Sequence, residues 1–295
     1  MPSSASQAGA TRASPAAPPP QLYFLVSAVF HYLGPAFAVL LFARVEVLGV
    51  AFLRVVSAAA VFALWRRPWR APARLGRDER RTLLAWGALL AVMNCCFYLA
   101  IDRLPLGTVA AVEYLPVVVL AAAGARTLRN GLAIALAVPG VWLLTDVRLV
   151  AEPFGVALAF ANAVLFAGYV VLGHRVARHG GRGGIDGLAA AMLVAAVLVT
   201  PVGGWAALPA FTDPGALAAG VGVGVASSVV PYVFDQLAMA RLPRASYALM
   251  VSLLPATATV VGVLVLAQVP SPAEAAGVAL VVAGVALHRP QAAAG

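Results

Sequence analysis

The 295-residue chain has no lysine, two cysteines and four histidines, and only 11 % of its residues are charged. Soluble domains hold about a quarter of their residues as charges and about half as apolar. Here 62 % are hydrophobic and the mean hydropathy is +0.94. So little charge over this length excludes a water-soluble domain and points to an integral membrane protein. Cys95 and Cys96 are neighbours inside an apolar run, so they build no secreted disulfide framework and have no metal-ligand spacing. Small apolar filling is their expected role. The chain has no His-rich cluster, no phosphate-cradling P-loop and no Gly-x-Ser-x-Gly. A membrane enzyme would therefore lack its nucleophile and base or its metal, direct ATP drive by this chain is excluded, and no cofactor is expected beyond the proton-motive force. The net charge of +9 comes from twenty arginines, most of them between apolar runs. Such placement is a topology signal rather than a nucleic-acid footprint, so no nucleic-acid partner is expected.

What the chain has in abundance is apolar sequence of membrane-crossing length. A helix crossing about 30 Å of hydrocarbon needs about 20 residues, and ten runs near that length can be marked: Leu22–Phe42, Val47–Trp65, Thr82–Ile101, Leu106–Gly124, Leu128–Thr145, Phe154–Gly173, Gly187–Trp205, Gly215–Ala238, Ala245–Leu266 and Pro272–His288. The longest link, Arg66 to Arg81, is too short for an inserted soluble domain. Residues 1–20, rich in Ser, Ala and Pro, are expected to be a disordered tail. The alternative is a cleaved signal peptide ending near Ala36-Phe37-Ala38, which would remove the first span. With the N-terminus inside, sixteen arginines fall in inside segments and only Arg44, Arg103 and Arg148 outside, Arg54 lying within a span. Both termini are thus expected in the cytoplasm.

Ala100-Ile101-Asp102-Arg103-Leu104-Pro105 recurs 138 residues later as Ala238-Met239-Ala240-Arg241-Leu242-Pro243. Each copy precedes a span with an internal proline, Pro116 and Pro255. The repeat contains five spans, an odd number, so the second copy enters the membrane in the opposite sense. The fold class read from this is an all-α polytopic membrane protein of ten transmembrane helices, built as two five-helix inverted repeats over residues 21–146 and 147–289, with residues 290–295 a second cytoplasmic tail. Inverted repeats are the architecture of alternating-access carriers, a duplicated bundle without transport being the alternative.

A charge in mid-membrane costs at least about 2.5 kcal/mol, so each must be paired, hydrated or useful. Arg54 and Glu113 each lie seven residues inside the outer end of their spans, about 10 Å deep, and Asn94 lies at similar depth in the third span. Tyr98 is one turn further out. Arg54 can bind a substrate carboxylate while Glu113 accepts an ammonium group or a coupling proton. The alternative is a permanent ion pair fixing the second span to the fourth. In the second repeat Tyr232 takes the place of Asn94, Asp235 that of Phe97, Gln236 that of Tyr98, and Ser252 that of Glu113. Asp235 lies about 9 Å from the inner surface, as a second proton station or as the partner of Arg241 or Arg244. Pro116 and Pro255 each free a carbonyl one turn earlier and are candidate helix breaks or gating points. His31, Tyr32, Asn162, Tyr169, Ser227, Ser228 and Tyr247 are weaker cavity candidates, since each can equally make a helix–helix hydrogen bond.

Met93-Asn94-x-x-Phe97-Tyr98-Leu99-x-Ile101-x-x-Leu104-Pro105-Leu106-Gly107, followed by Glu113-x-x-Pro116, resembles the third and fourth spans of threonine/homoserine exporters in the drug/metabolite transporter superfamily (EamA type). Leu53-Arg54, Pro68-Trp69-Arg70, Tyr169-x-x-x-Gly173-x-Arg175, Pro231-Tyr232 and Arg241-Leu242-Pro243 extend the likeness from about Ser27 to Val285. The resemblance implies a ten-helix inner-membrane carrier working outward, with Asp235 where the family carries Glu. Its expected cargo is a small polar metabolite, an amino acid first, with drugs and other metabolites as alternatives on the same fold. A proton antiporter is the expected mechanism; a channel or non-transporting scaffold is the reading in a different class. The expected partners are that small-molecule substrate and the lipid bilayer, with a second copy of the chain in a homodimer as a further candidate.

Overall fold

The computed structural model describes residues 19–68, 76–124, 127–179, 183–239 and 253–287, and every regular element among them is helical. In chain order the helices are α1 (Pro20–Leu41), α2 (Val47–Arg66), α3 (Arg77–Ile101), α4 (Leu106–Gly124), α5 (Leu128–Ala151), α6 (Pro153–His179), α7 (Gly183–Gly203), α8 (Leu208–Thr212), α9 (Pro214–Gly224), α10 (Val230–Met239), α11 (Leu254–Leu266) and α12 (Pro272–Leu287). A π-helical turn, Val225–Val229, joins α9 to α10 without a break, so the eighth apolar run is one bent rod. Among the described residues five helices are long and apolar enough to cross a membrane, and large apolar side chains stand exposed both on these, such as Val197, and on shorter apolar helices, such as Val164 and Leu264. In water that exposure would be costly; in lipid it is the solvent-facing surface. The chain is a multi-pass membrane protein.

Several ends differ from the apolar runs because helices outlast hydrophobicity. α3 starts at Arg77, five residues before Thr82, so that Arg77, Arg80 and Arg81 are helical, with Glu79 accepting from the backbone N–H of Gly76 at 3.1 Å. α5 continues to Ala151 and α6 to His179, carrying charged residues past the expected ends Thr145 and Gly173. The link after α7 is not irregular: it folds as α8, and Asp213 then caps α9 by accepting from Gly215 and Ala216 while lying 3.5 Å from Arg44. Pro255, expected inside its span, sits in the first turn of α11, where a missing N–H costs nothing. The first half of the ninth run, with Tyr247 and Ser252, lies outside the described residues.

Packing is by small residues. α5 crosses α12, α2 runs against α7 and α9, and α3 against α6 and α7. α1 lies on α9, the π turn, α10 and α11, while α6 lies on α3 and α4. At the α5/α12 crossing a Cβ on Gly140 would sit 2.8 Å from the Gly277 carbonyl, and one on Gly284 would sit 2.7 Å from that of Ala133. Gly87 meets the carbonyl of Ala191 on α7 in the same way, and Gly224 that of Arg54 on α2. Backbones this close gain dispersion contacts that lipid tails cannot supply.

Candidate functional site

Arg54 is buried in the middle of α2, 5 % exposed, and faces the π turn. Its Nε donates to Ser228 Oγ at 3.0 Å and its Nη2 to the Ser227 carbonyl at 3.1 Å. That carbonyl is available for a covalent reason: the residue four positions later is Pro231, which has no N–H to return to it. The π turn also brings the consecutive Ser227 and Ser228 side chains both into the core. The guanidinium carbon lies 5.3 Å from the centre of the Tyr98 ring and 6.0 Å from that of Phe97, within cation–π range. All its neighbours are neutral.

Glu113, 4 % exposed on α4, is held from the other side of the bundle: Asn162 Nδ2 on α6 donates to its Oε1 at 3.0 Å. Among the described residues Arg54 and Glu113 are not in ion-pair contact; each is held by a neutral residue instead. Glu113 Oε2 and Asn162 Oδ1 are buried with no hydrogen-bond partner, while the buried Tyr98 hydroxyl faces Ser227 and Arg54. Beside Glu113, the Tyr114 hydroxyl is 3.5 Å from that of Tyr32 on α1. An aromatic series follows inward, Tyr114 to Phe166 (5.5 Å between ring centres), Phe166 to Tyr169 (6.0 Å), Tyr169 to Tyr232 (6.1 Å) and Tyr169 to Trp86 (5.6 Å). At its inner end Ser27 Oγ on α1 lies 2.5 Å from Asp235 Oδ1 and 3.1 Å from the Pro231 carbonyl.

A family model described as the EamA-like transporter family matches residues 153–288. The threonine/homoserine exporter RhtA of Salmonella typhimurium strain LT2 is 31 % identical over 253 residues, 84 % of each chain, and that of Escherichia coli K12 is 30 % identical over 254 residues, 85 % of this chain and 84 % of the relative. The chain belongs to the EamA-like transporter family. A crystal structure of a protein 20 % identical to it, covering 90 % of this chain and 96 % of the other with a TM-score of 0.57, has the same fold. Membership places the chain among transporters rather than enzymes, in the drug/metabolite transporter superfamily.

For this EamA-type protein the structure brings Arg54, Tyr98, Glu113, Tyr169, Tyr232 and Asp235 onto one polar and aromatic path. Asn94 differs: its Nδ2 donates to the Leu90 carbonyl at 2.8 Å on its own helix, so it does not bridge Arg54 and Glu113. Pro116 is inside α4, where the Val112 carbonyl loses its intrahelical donor. Tyr247, Ser252, Arg241 and Arg244 lie outside the described residues. Three partners, Ser27, Tyr114 and Asn162, carry more of the site than the sequence shows. Asn162 and Ser27 are small polar residues in largely apolar helices, and only the packing of α6 on α4 and of α1 on α10 gives them carboxylates. Ser227 and Pro231 left a readable signal, a hydroxyl residue four places before a proline, which marks a freed carbonyl.

Proposed function

We propose that the protein is an inner-membrane secondary exporter of small hydroxylated amino acids of the threonine and homoserine class, working by alternating access with proton antiport. The observation that carries the reading is Arg54, a buried guanidinium whose hydrogen bonds go to neutral acceptors and which has no carboxylate in bonding contact among the described residues. A desolvated, unpaired cation costs several kcal/mol, and a substrate carboxylate bound bidentately repays it. Glu113 provides the complementary charge for an ammonium group or a proton. Curated exporters of threonine and homoserine align over most of the chain, which supports this substrate class.

An inverted repeat of ten helices underlies the cycle. Its support is the reciprocity of the close approaches: Ala133–Gly284 and Gly140–Gly277 exchange under an offset of 144, and Gly87–Ala191 and Arg54–Gly224 exchange under an offset of 137. α6 on α3 and α4 has its counterpart in α1 on α10 and α11. Both termini are assigned to the cytoplasm, supported by arginines at the shared end of α2, α3 and α5. Asp235, clasped by Ser27 near that end, serves as the second proton station.

The test is uptake of labelled threonine and homoserine into everted vesicles from expressing cells, with and without an inside-acid gradient. Gradient-dependent uptake, absent from cells lacking the protein and lost in Glu113→Gln, is the expected result. A Glu113→Gln carrier with full uptake and unchanged response to the gradient removes the coupling role, and no amino-acid uptake by the native protein removes the substrate class.

A further inference from the structure

We infer that Asn162 and Glu113 together form a primary-ammonium subsite that spans the two halves of the bundle. The inference rests on the amino-acid export reading and deepens it, because it assigns one end of the substrate to a particular pair of atoms.

A carboxylate only accepts hydrogen bonds, so Asn162 must turn its NH2 group toward Glu113, and its carbonyl oxygen then points elsewhere. The observed bond, Nδ2 to Oε1 at 3.0 Å, has this sense. It leaves Glu113 Oε2 and Asn162 Oδ1, the remaining acceptors of the bonded pair, both buried and neither with a donor. Buried acceptors without donors cost about 1–3 kcal/mol each, more for a charged one. The group that satisfies both at once brings at least two N–H donors and a positive charge, as a primary ammonium does. Tyr114 follows Glu113 in α4 and packs its ring against Phe166, one turn after Asn162 in α6, so aromatic rings, which favour a cation, adjoin the pair.

The opposite end of the site has the opposite polarity. Arg54 offers N–H donors, and the buried hydroxyls of Tyr98 and Ser227 lie beside it. Donors at one end and acceptors at the other orient a zwitterion in one direction, carboxylate on α2 and the π turn, ammonium between α4 and α6. Because Glu113 belongs to the first half and Asn162 to the second, a bound ammonium ties the halves together. Asn162 is thus a specificity residue for the amine.

The experiment reads ligand-induced thermal stabilisation of the purified full-length protein in detergent with four probes: threonine, threonine methyl ester, N,N-dimethylthreonine and N-acetylthreonine. Threonine and its methyl ester, with three N–H donors each, are expected to stabilise the native protein. The dimethyl compound, with one N–H, and the N-acetyl compound, whose amide nitrogen carries no charge, should need at least about tenfold higher concentration, the scale of one charge-assisted hydrogen bond. In Asn162→Ala the threonine affinity falls about tenfold and the preference for threonine over the dimethyl compound collapses toward one. Asn162→Asp, sharing a proton with Glu113, presents the same donor and acceptor pattern and keeps the preference; it decides the matter if the alanine variant does not fold. Equal response to all four probes, or an Asn162→Ala effect identical for every probe, overturns the subsite and leaves a bridging water as the partner of both oxygens. Amine-dependent binding of the methyl ester without threonine uptake in vesicles keeps the subsite and rejects the export reading. Threonine uptake with no dependence on N-methylation does the reverse.

Discussion

At the scale of single residues, the site is defined by what each buried charge is denied. Arg54 has no carboxylate and Glu113 has no cation in bonding contact, though the two share one layer of the bundle. On the proposed reading a bound zwitterion supplies both, whereas a structural salt bridge would be satisfied before substrate arrives. Arg54→Lys tests the geometry of this arrangement rather than its charge. Lysine keeps the cation but cannot offer a planar fork to Ser228 Oγ, the Ser227 carbonyl and a carboxylate together. Vesicle uptake of threonine by Arg54→Lys should fall at least about tenfold while the amount of folded protein is unchanged. Retained uptake would show that point charge alone suffices. The importance of Arg54 and Glu113 was legible in the sequence because charges are rare in apolar runs; which of the polar candidates hold them was not, since Asn162, Ser227 and Ser228 read like the other hydroxyl and amide residues of such helices until the packing is known.

At the scale of the element, the eighth span shows how a local covalent fact becomes a binding surface. Pro231 withholds a donor, the π turn widens the helix, and the Ser227 carbonyl passes to Arg54 on a different helix. Pro116 and Pro255 look alike in sequence but differ in the fold. One interrupts a continuous helix, the other starts one. The fifth and tenth spans illustrate the opposite case, where absence of a side chain is the device. Gly140 and Gly284 let α5 and α12 touch backbone to backbone, at distances where a Cβ would overlap a carbonyl oxygen. Gly140→Leu and Gly284→Leu should each destabilise the bundle by about 1–3 kcal/mol, seen as a lower Tm in detergent and reduced yield. Gly131, with nothing near the position of a Cβ, should accept Ala with neither change. Equal tolerance at all three positions would place the stability of this crossing elsewhere.

At the scale of the whole molecule, two surface ion pairs mark the two faces. Arg66–Asp186 ties α2 to α7 at one end of α2 at 2.6 Å, and Arg44 meets Asp213 beyond the other end at 3.5 Å. Each is exposed enough to contribute at most about 1 kcal/mol, so they orient helix ends more than they stabilise the bundle. Their faces are distinguishable by chemistry. In a background with Cys95 and Cys96 replaced by alanine, a membrane-impermeant thiol reagent added to intact cells should label Trp205→Cys and not Arg67→Cys. Both positions are exposed, and they lie at opposite ends of the α2/α7 pair. The reverse pattern would invert the assigned orientation.

The sequence alone determined the solvent of this protein, the approximate placement of its helices and which charges must be explained, because hydrocarbon imposes a length, an apolar composition and a penalty on every stray charge. Only the tertiary structure decided who satisfies those charges. Ser228 and the Ser227 carbonyl lie more than 170 residues from Arg54, Asn162 lies 49 from Glu113, and Ser27 lies 208 from Asp235. No helical period encodes such pairings. They follow from which helix faces small residues allow to meet, and a lipid-facing glycine and a helix-contacting one read alike until the helices are packed.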